Sequence, residues 1–296
     1  MNKFLSRRGF IRKGIAGGIG LAAINSFTGC TGSGGPDMKF GLVTYNWGRD
    51  WDLPTLIRNC EITGYQAVEL RTENAHAVET NLSKSQREEV KKMFEDSPVT
   101  CVGYGSNWMY HFPDHERLRH HIEQTKEYII LCKDIGATGI KVKPDTLPPD
   151  VPAEKTISQI AASLNEVGSF ARDHGQLIRV EVHGRGTSEL PVIRAIFEQV
   201  TQPNVTICWN SNPADLNPPG LEWNFNLVKQ WMGDVVHVHR LDTENYPYQQ
   251  LFDLFAGMNY KGWILLEEGS VPDDRITEMK NQLSIFNRMI ANTRTV

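Results

Sequence analysis

Residues 177–183 read Leu-Ile-Arg-Val-Glu-Val-His. Alternate side chains of an extended strand share a face. Arg179, Glu181 and His183 therefore point one way, and Ile178, Val180 and Val182 the other. A parallel strand buried on both sides is apolar throughout, so a row of ionisable groups on one side implies a polar site inside a ring of strands. The same alternation recurs along the chain. Glu69 and Arg71 oppose Val68 and Leu70, and Lys141 and Lys143 oppose Ile140 and Val142. Asn210 is in phase with Thr206 and Cys208, His237 and His239 oppose Val236 and Val238, and Glu267 is in phase with Trp263 and Leu265.

The last inward polar residues of the final four segments are Glu181, Asn210, His239 and Glu267. Two carboxylates, an imidazole and an amide oxygen suit a divalent ion, Mn²⁺ before Mg²⁺, Co²⁺ or Zn²⁺. Carboxylates this close repel unless a cation lies between them. Arg179, Lys141 and Glu69 sit deeper in their segments, where ion pairs that fill the interior are the expected role.

Elements must hold these ends together. Short runs rich in Val, Ile and aromatics predict strands at 38–45, 66–71, 99–105, 139–143, 177–183, 204–209, 234–239 and 263–267. Helical segments alternate with them at 53–63, 84–96, 116–135, 154–173, 189–200, 222–232, 247–257 and 273–292. Ser83 with Gln86, and Thr187 or Ser188 before Glu189, read as helix starts; Gly64, Gly136 and Gly175 read as stops. Eight such units in a chain of this length predict an α/β fold, a single-domain (β/α)8 TIM barrel over 38–296. A doubly wound sheet would offer a glycine-rich phosphate loop early in the chain, whereas the first strand runs into Thr44-Tyr45-Asn46-Trp47.

Several runs resemble the xylose-isomerase-like, or sugar phosphate isomerase/epimerase, barrels. They are Ala67-Val68-Glu69-Leu70-Arg71, Val180-Glu181-Val182-His183-Gly184-Arg185, Cys208-Trp209-Asn210-Ser211-Asn212, His237-Val238-His239-Arg240-Leu241-Asp242 and Gly262-Trp263-Ile264-Leu265-Leu266-Glu267. In ketose 3-epimerases of that family a Glu, an Asp, a His and a Glu at the ends of strands 5 to 8 hold one metal. The resemblance assigns Glu181, His239 and Glu267 to three of those places and makes Arg185 a substrate contact. Asn210 stands where the family has Asp, and Pro213 stands where the epimerases carry a substrate-binding His. Both departures point away from a strict ketose 3-epimerase and toward a subgroup of exported bacterial homologues.

The resemblance implies proton abstraction beside a carbonyl, with Glu181 and Glu267 moving the proton and the metal stabilising an enediolate. His183, Arg185, Lys143, Arg71 and His111 are candidates for holding sugar oxygens, and Trp47 for stacking on a sugar face. An unphosphorylated or oxidised sugar is the expected substrate. The outcome is isomerisation or epimerisation; the alternatives are a lyase or hydratase acting on keto-sugars through the same site, and a carbohydrate-binding lipoprotein without catalysis.

The amino terminus carries an address. Ser6-Arg7-Arg8-Gly9-Phe10-Ile11, an apolar run from Gly14 to Phe27, and Phe27-Thr28-Gly29-Cys30 resemble a twin-arginine export signal ending in a lipoprotein box. The expectation is a signal over 1–29, acylation at Cys30, a tether over 30–37, and a periplasmic, membrane-anchored protein. Loss of Lys3, Arg7, Arg8, Arg12 and Lys13 takes the net charge from −4 to −9. Such acidity argues against nucleic acid as a partner. The remaining cysteines, Cys60, Cys101, Cys132 and Cys208, match no zinc or disulfide spacing.

Overall fold

The computed structural model describes residues 37–293. The expected signal, tether and acylation at Cys30 fall almost wholly outside them. Among the described residues no helix is long and apolar enough to cross a membrane.

Eight strands alternate with eight helices: β1 Lys39–Val43, α1 Leu53–Thr63, β2 Ala67–Arg71, α2 Lys84–Glu95, β3 Thr100–Met109, α3 His115–Asp134, β4 Gly139–Lys143, α4 Ala153–Asp173, β5 Leu177–Glu181, α5 Leu190–Phe197, β6 Val205–Cys208, α6 Leu221–Val228, β7 Val235–Val238, α7 Tyr248–Gly257, β8 Trp263–Leu266 and α8 Arg275–Ala291. All strand pairs are parallel, in the order β6-β5-β4-β3-β2-β1-β8-β7. The seam between β6 and β7 is joined by sparser bonds, Gly233 N–H to Ile207 O at 2.8 Å and His237 N–H to Trp209 O at 2.7 Å. The result is a nearly closed (β/α)8 barrel, as the alternation predicted.

Outward strand residues such as Val68, Leu70, Ile140, Val142, Ile178, Val180, Val236 and Val238 pack in the main hydrophobic cluster with the helices. Their burial removes the apolar face of each strand from water and holds the helices to the barrel wall. The inward face begins with a plug. Arg179 is fully buried, and its guanidinium bonds both oxygens of Asp234 at 2.8 Å, Val102 O at 2.8 Å and Thr138 Oγ1 at 2.8 Å. Asp234 lies immediately before β7, so this pair ties the far side of the seam back to β5. It is the deep ion pair expected for Arg179.

Local signals explain most helix ends. Ser83 and Gln86 form a reciprocal cap on α2, and Gly64, Gly136 and Gly175 adopt left-handed conformations after α1, α3 and α4. Three expectations are corrected. Thr187 does not cap α5, because its hydroxyl bonds Asp145 O at 2.5 Å and His183 O at 2.7 Å. α6 stops at Val228 and continues as a short 3-10 turn over Lys229–Trp231. β3 runs on to Met109, whose N–H is accepted by His121 Nδ1 at 3.0 Å. Cys60, Cys101, Cys132 and Cys208 are buried free thiols, in keeping with the lack of a disulfide pattern.

Candidate active site

The carboxyl ends of the strands converge. Glu181 closes β5, and Glu267 follows β8 with its N–H on Val238 O at 2.8 Å. Asn210 lies two residues past β6, and its amide donates to Glu181 Oε1 at 3.0 Å. His237, fully buried in β7, places Nδ1 3.3 Å from Glu267 Oε2 and 3.9 Å from Glu181 Oε1. Its Nε2 faces Glu69 Oε1 at 3.2 Å. Lys141, also fully buried, donates to Glu181 Oε2 and to Ser106 O at 3.2 Å. Lys143 lies 4.0 Å from the same carboxylate. Arg71 reaches Glu267 Oε1 at 3.8 Å and donates to Asn107 Oδ1 at 3.1 Å.

These contacts set the charge states. Burial pushes the Glu267 carboxyl up, but His237, Lys141 and Arg71 outweigh it and hold the acid below its ordinary range. Burial likewise opposes Lys141, Lys143 and His237 at Glu181, and the cations win there too, against the charge of Glu267. Burial lowers the Lys143 amine, and the neighbouring Lys141 lowers it further. The His237 imidazole is raised despite burial, by Cys208, Glu69 and Glu267. Both strand-end glutamates are therefore ionised bases at neutral pH.

Ligand atoms of Glu181, His237 and Glu267 lie within 4.8 Å of one another, the one such group among the described residues. The imidazole nearest the two carboxylates is thus His237, one side-chain period deeper than the expected His239. His239 is half-buried at the mouth, and its Nδ1 sits 2.8 Å from Glu267 O. A carbonyl only accepts, so Nδ1 is the donor in this bond and Nε2 is the nitrogen left for a metal. Asn210 Oδ1 is buried without a hydrogen-bond partner. Two ionised carboxylates within 4.8 Å of each other and an orphaned amide oxygen on the residue bonded to Glu181 are donors that fit a divalent cation, and His239 meets them through the Glu267 carbonyl.

The loops after β3, β4 and β5 supply a second group that the pattern did not reveal. Asp145 Oδ1 lies 3.4 Å from His183 Nδ1, and Oδ2 lies 3.8 Å from His111 Nδ1. The contact with His183 holds the Asp145 carboxyl low, and burial lowers His111. Gly184 makes this meeting possible. It adopts φ +102, and a Cβ there would fall 1.2 Å from Asp145 O. Asp145 follows its strand in a left-handed turn at φ +78, where side-chain periodicity no longer reports direction.

The remaining candidates are spread around the mouth. Arg185 is exposed, and its backbone O accepts Leu147 N–H at 3.1 Å. Trp47 is only 1% exposed and its indole N–H is held by Ser270 O at 2.6 Å, so no ring face opens to the mouth. A cavity of about 400 Å³ is lined by Ser211, Pro213, His239, Tyr246, Tyr248 and Glu268. A smaller one of about 160 Å³ is lined by Tyr45, Arg49, Arg71 and Asn107. Openings of this size and polarity suit small ligands.

The family model of xylose isomerase-like TIM barrels matches residues 57–288. No curated protein matches the chain by sequence. Among solved structures, the chain is similar to the apo form of YcjR from E. coli, a 3-keto-D-glucoside 4-epimerase, at 16% identity and TM-score 0.71, over 85% of this chain and 99% of that one. It is similar to the protein IOLI with a bound zinc atom at 13% identity and TM-score 0.73, over 88% and 100%. It is also similar to AsbF from Bacillus anthracis, described as the "probable 3-DHS dehydratase", at 12% identity and TM-score 0.66, over 84% and 99%. At these identities the likeness concerns the fold.

Proposed function

Because the chain belongs to the xylose isomerase-like TIM barrel family, we propose that it is a divalent-metal-dependent isomerase or epimerase of an unphosphorylated or oxidised sugar. The observation that carries this reading is the pair Glu181 and Glu267, two ionised carboxylates whose oxygens lie within 4.8 Å of each other and of His237, with the amide of Asn210 on Glu181 and the ring of His239 on the Glu267 carbonyl. Glu181, Asn210, His239 and Glu267 would hold the ion, Mn²⁺ in the first place. When bound, the ion polarises the substrate carbonyl and stabilises the charge of an enediolate.

The side chains do the rest. One glutamate takes the proton beside the carbonyl; its return by the same glutamate to the neighbouring carbon relocates the carbonyl, and delivery of a solvent proton through the other glutamate on the opposite face inverts the centre, the first glutamate then losing its proton to water. Their lowered pKa values keep both ready as bases. Lys143 and Arg71 lie beside the two carboxylates and suit a developing oxyanion or sugar hydroxyls. His183, steadied by Asp145, and the exposed Arg185 face the substrate from the β5 side. A neighbour named as a 3-keto-D-glucoside 4-epimerase agrees with a keto-sugar or keto-glycoside.

A lyase or hydratase acting through the same site is the second reading. The His183–Asp145 pair at the mouth favours it, since elimination needs an acid for the leaving group. Export through the twin-arginine signal and anchoring at Cys30 belong to the same proposal; incorporation of labelled fatty acid, abolished by Cys30→Ala, tests them.

The chemistry is tested by incubating the Mn²⁺-loaded protein with keto-glycosides in D₂O and following the spectra by NMR. Deuterium entering beside the carbonyl with a new epimer supports the first reading, and a free aglycone supports the second. Absence of exchange in wild type, or exchange undiminished in Glu181→Gln, refutes both.

A further inference from the structure

We propose that Lys141 is a built-in rival of the divalent cation: its buried ammonium occupies Glu181 in the metal-free protein and thereby sets how tightly the site holds metal. The inference rests on the metal-binding reading above and deepens it.

Lys141 is fully buried, so water does not solvate its charge. A lysine in that position needs partners inside the protein. It has two, Glu181 Oε2 and Ser106 O. The other oxygen of Glu181 accepts from Asn210. Both oxygens of a principal metal ligand thus already have donors before any ion arrives.

The charge count points the same way. Glu69, Glu181 and Glu267 carry three negative charges in the upper interior, and Arg71, Lys141 and Lys143 carry three positive ones beside them. With the raised His237 imidazole among them, the positive groups already match or exceed the carboxylates without a metal. A dication must enter against the ammonium of Lys141 and displace it from, or share with it, the Glu181 carboxylate. At a separation near 4 Å, screening as strong as that of bulk water still lets one such charge weaken the affinity for a dication by about thirtyfold. Asn210, in place of an acid, removes one more source of attraction.

The test is calorimetric titration of the metal-free chain with MnCl₂, comparing wild type with Lys141→Met and Lys141→Gln. Melting curves with and without Mn²⁺ accompany it. The expected result is affinity at least tenfold tighter in both variants, with a larger Mn²⁺-dependent rise in Tm, because the ion then replaces the lost ammonium. A merely structural lysine would give the opposite, weaker binding through a displaced Glu181. Equal or weaker affinity in the variants overturns the proposal while leaving the metal site standing, as does failure of both variants to fold in Mn²⁺. No binding by wild type or variants at millimolar Mn²⁺ overturns the metal-binding reading itself.

Discussion

Asn210 donates its amide to Glu181 Oε1 at 3.0 Å and leaves its own Oδ1 buried without a partner. The donor holds the carboxylate in place, and the orphaned oxygen marks where a further charge or ion is wanted. A buried acceptor without a partner costs about 1–3 kcal/mol, so it persists where something compensates for it.

Asn210→Asp follows from that contact. The substitution replaces a donor by a second carboxylate against Glu181, so the metal-free protein should lose roughly 2–6 °C in Tm. Mn²⁺ should restore it and bind more tightly than to wild type. Scanning calorimetry in chelator and in Mn²⁺ checks this; an unchanged Tm in both would contradict it.

The barrel's lower end gives a prediction independent of the site. Asp234→Ala leaves the guanidinium of Arg179 buried without its carboxylate partner. Loss of one partner of a fully buried pair costs 3–5 kcal/mol; because Asp234 is partly exposed, we expect about 2–3 kcal/mol. Urea unfolding measures it, and the Mn²⁺ stoichiometry of the folded variant should not change.

Gly184→Ala should damage the loops rather than the barrel. Its methyl would collide with Asp145 O in a left-handed backbone conformation, which separates Asp145 from His183. We expect kcat/KM on a keto-glycoside to fall tenfold or more, on the order of 1.4 kcal/mol, while metal content stays at the wild-type level. Unchanged kinetics would show that this cluster is not needed for turnover.

Asp215 carries a pH signature. Burial raises its carboxyl to about 7, against the bonds from Tyr246 Oη and Asn212 N–H that lower it. The folded state therefore keeps a proton that the unfolded chain has lost above about pH 4, and stability falls as pH rises from there to 7. Asp215→Asn mimics the protonated acid. It should be near neutral at pH 4 and stabilising, by an order of a few kcal/mol, at pH 8. Denaturation midpoints at the two pH values test the sign.

Much of this architecture is legible in the sequence because period-2 alternation states which side of a strand faces the helices. Val180 and Val182 against Glu181, or Val236 and Val238 against His237, leave little freedom. Depth within the barrel is another matter. His237 and His239 share a phase, and so do Lys141 and Lys143, so alternation does not reveal that His237 closes on the carboxylates or that Lys141 reaches Glu181. Those depend on strand stagger, a property of the closed ring. Asp145 and Thr187 lie in loops, where strand phase gives no direction and the partners are distant in sequence.

The central claim is a divalent-metal site at the strand ends. It is tested most directly by the metal content of purified residues 31–296 after Mn²⁺ loading and gel filtration, for wild type, Glu181→Gln and His239→Ala. The account predicts near-stoichiometric Mn²⁺ in wild type at saturation and its loss in both variants. Wild type without Mn²⁺ even at millimolar exposure, or variants that retain it in full, would contradict it.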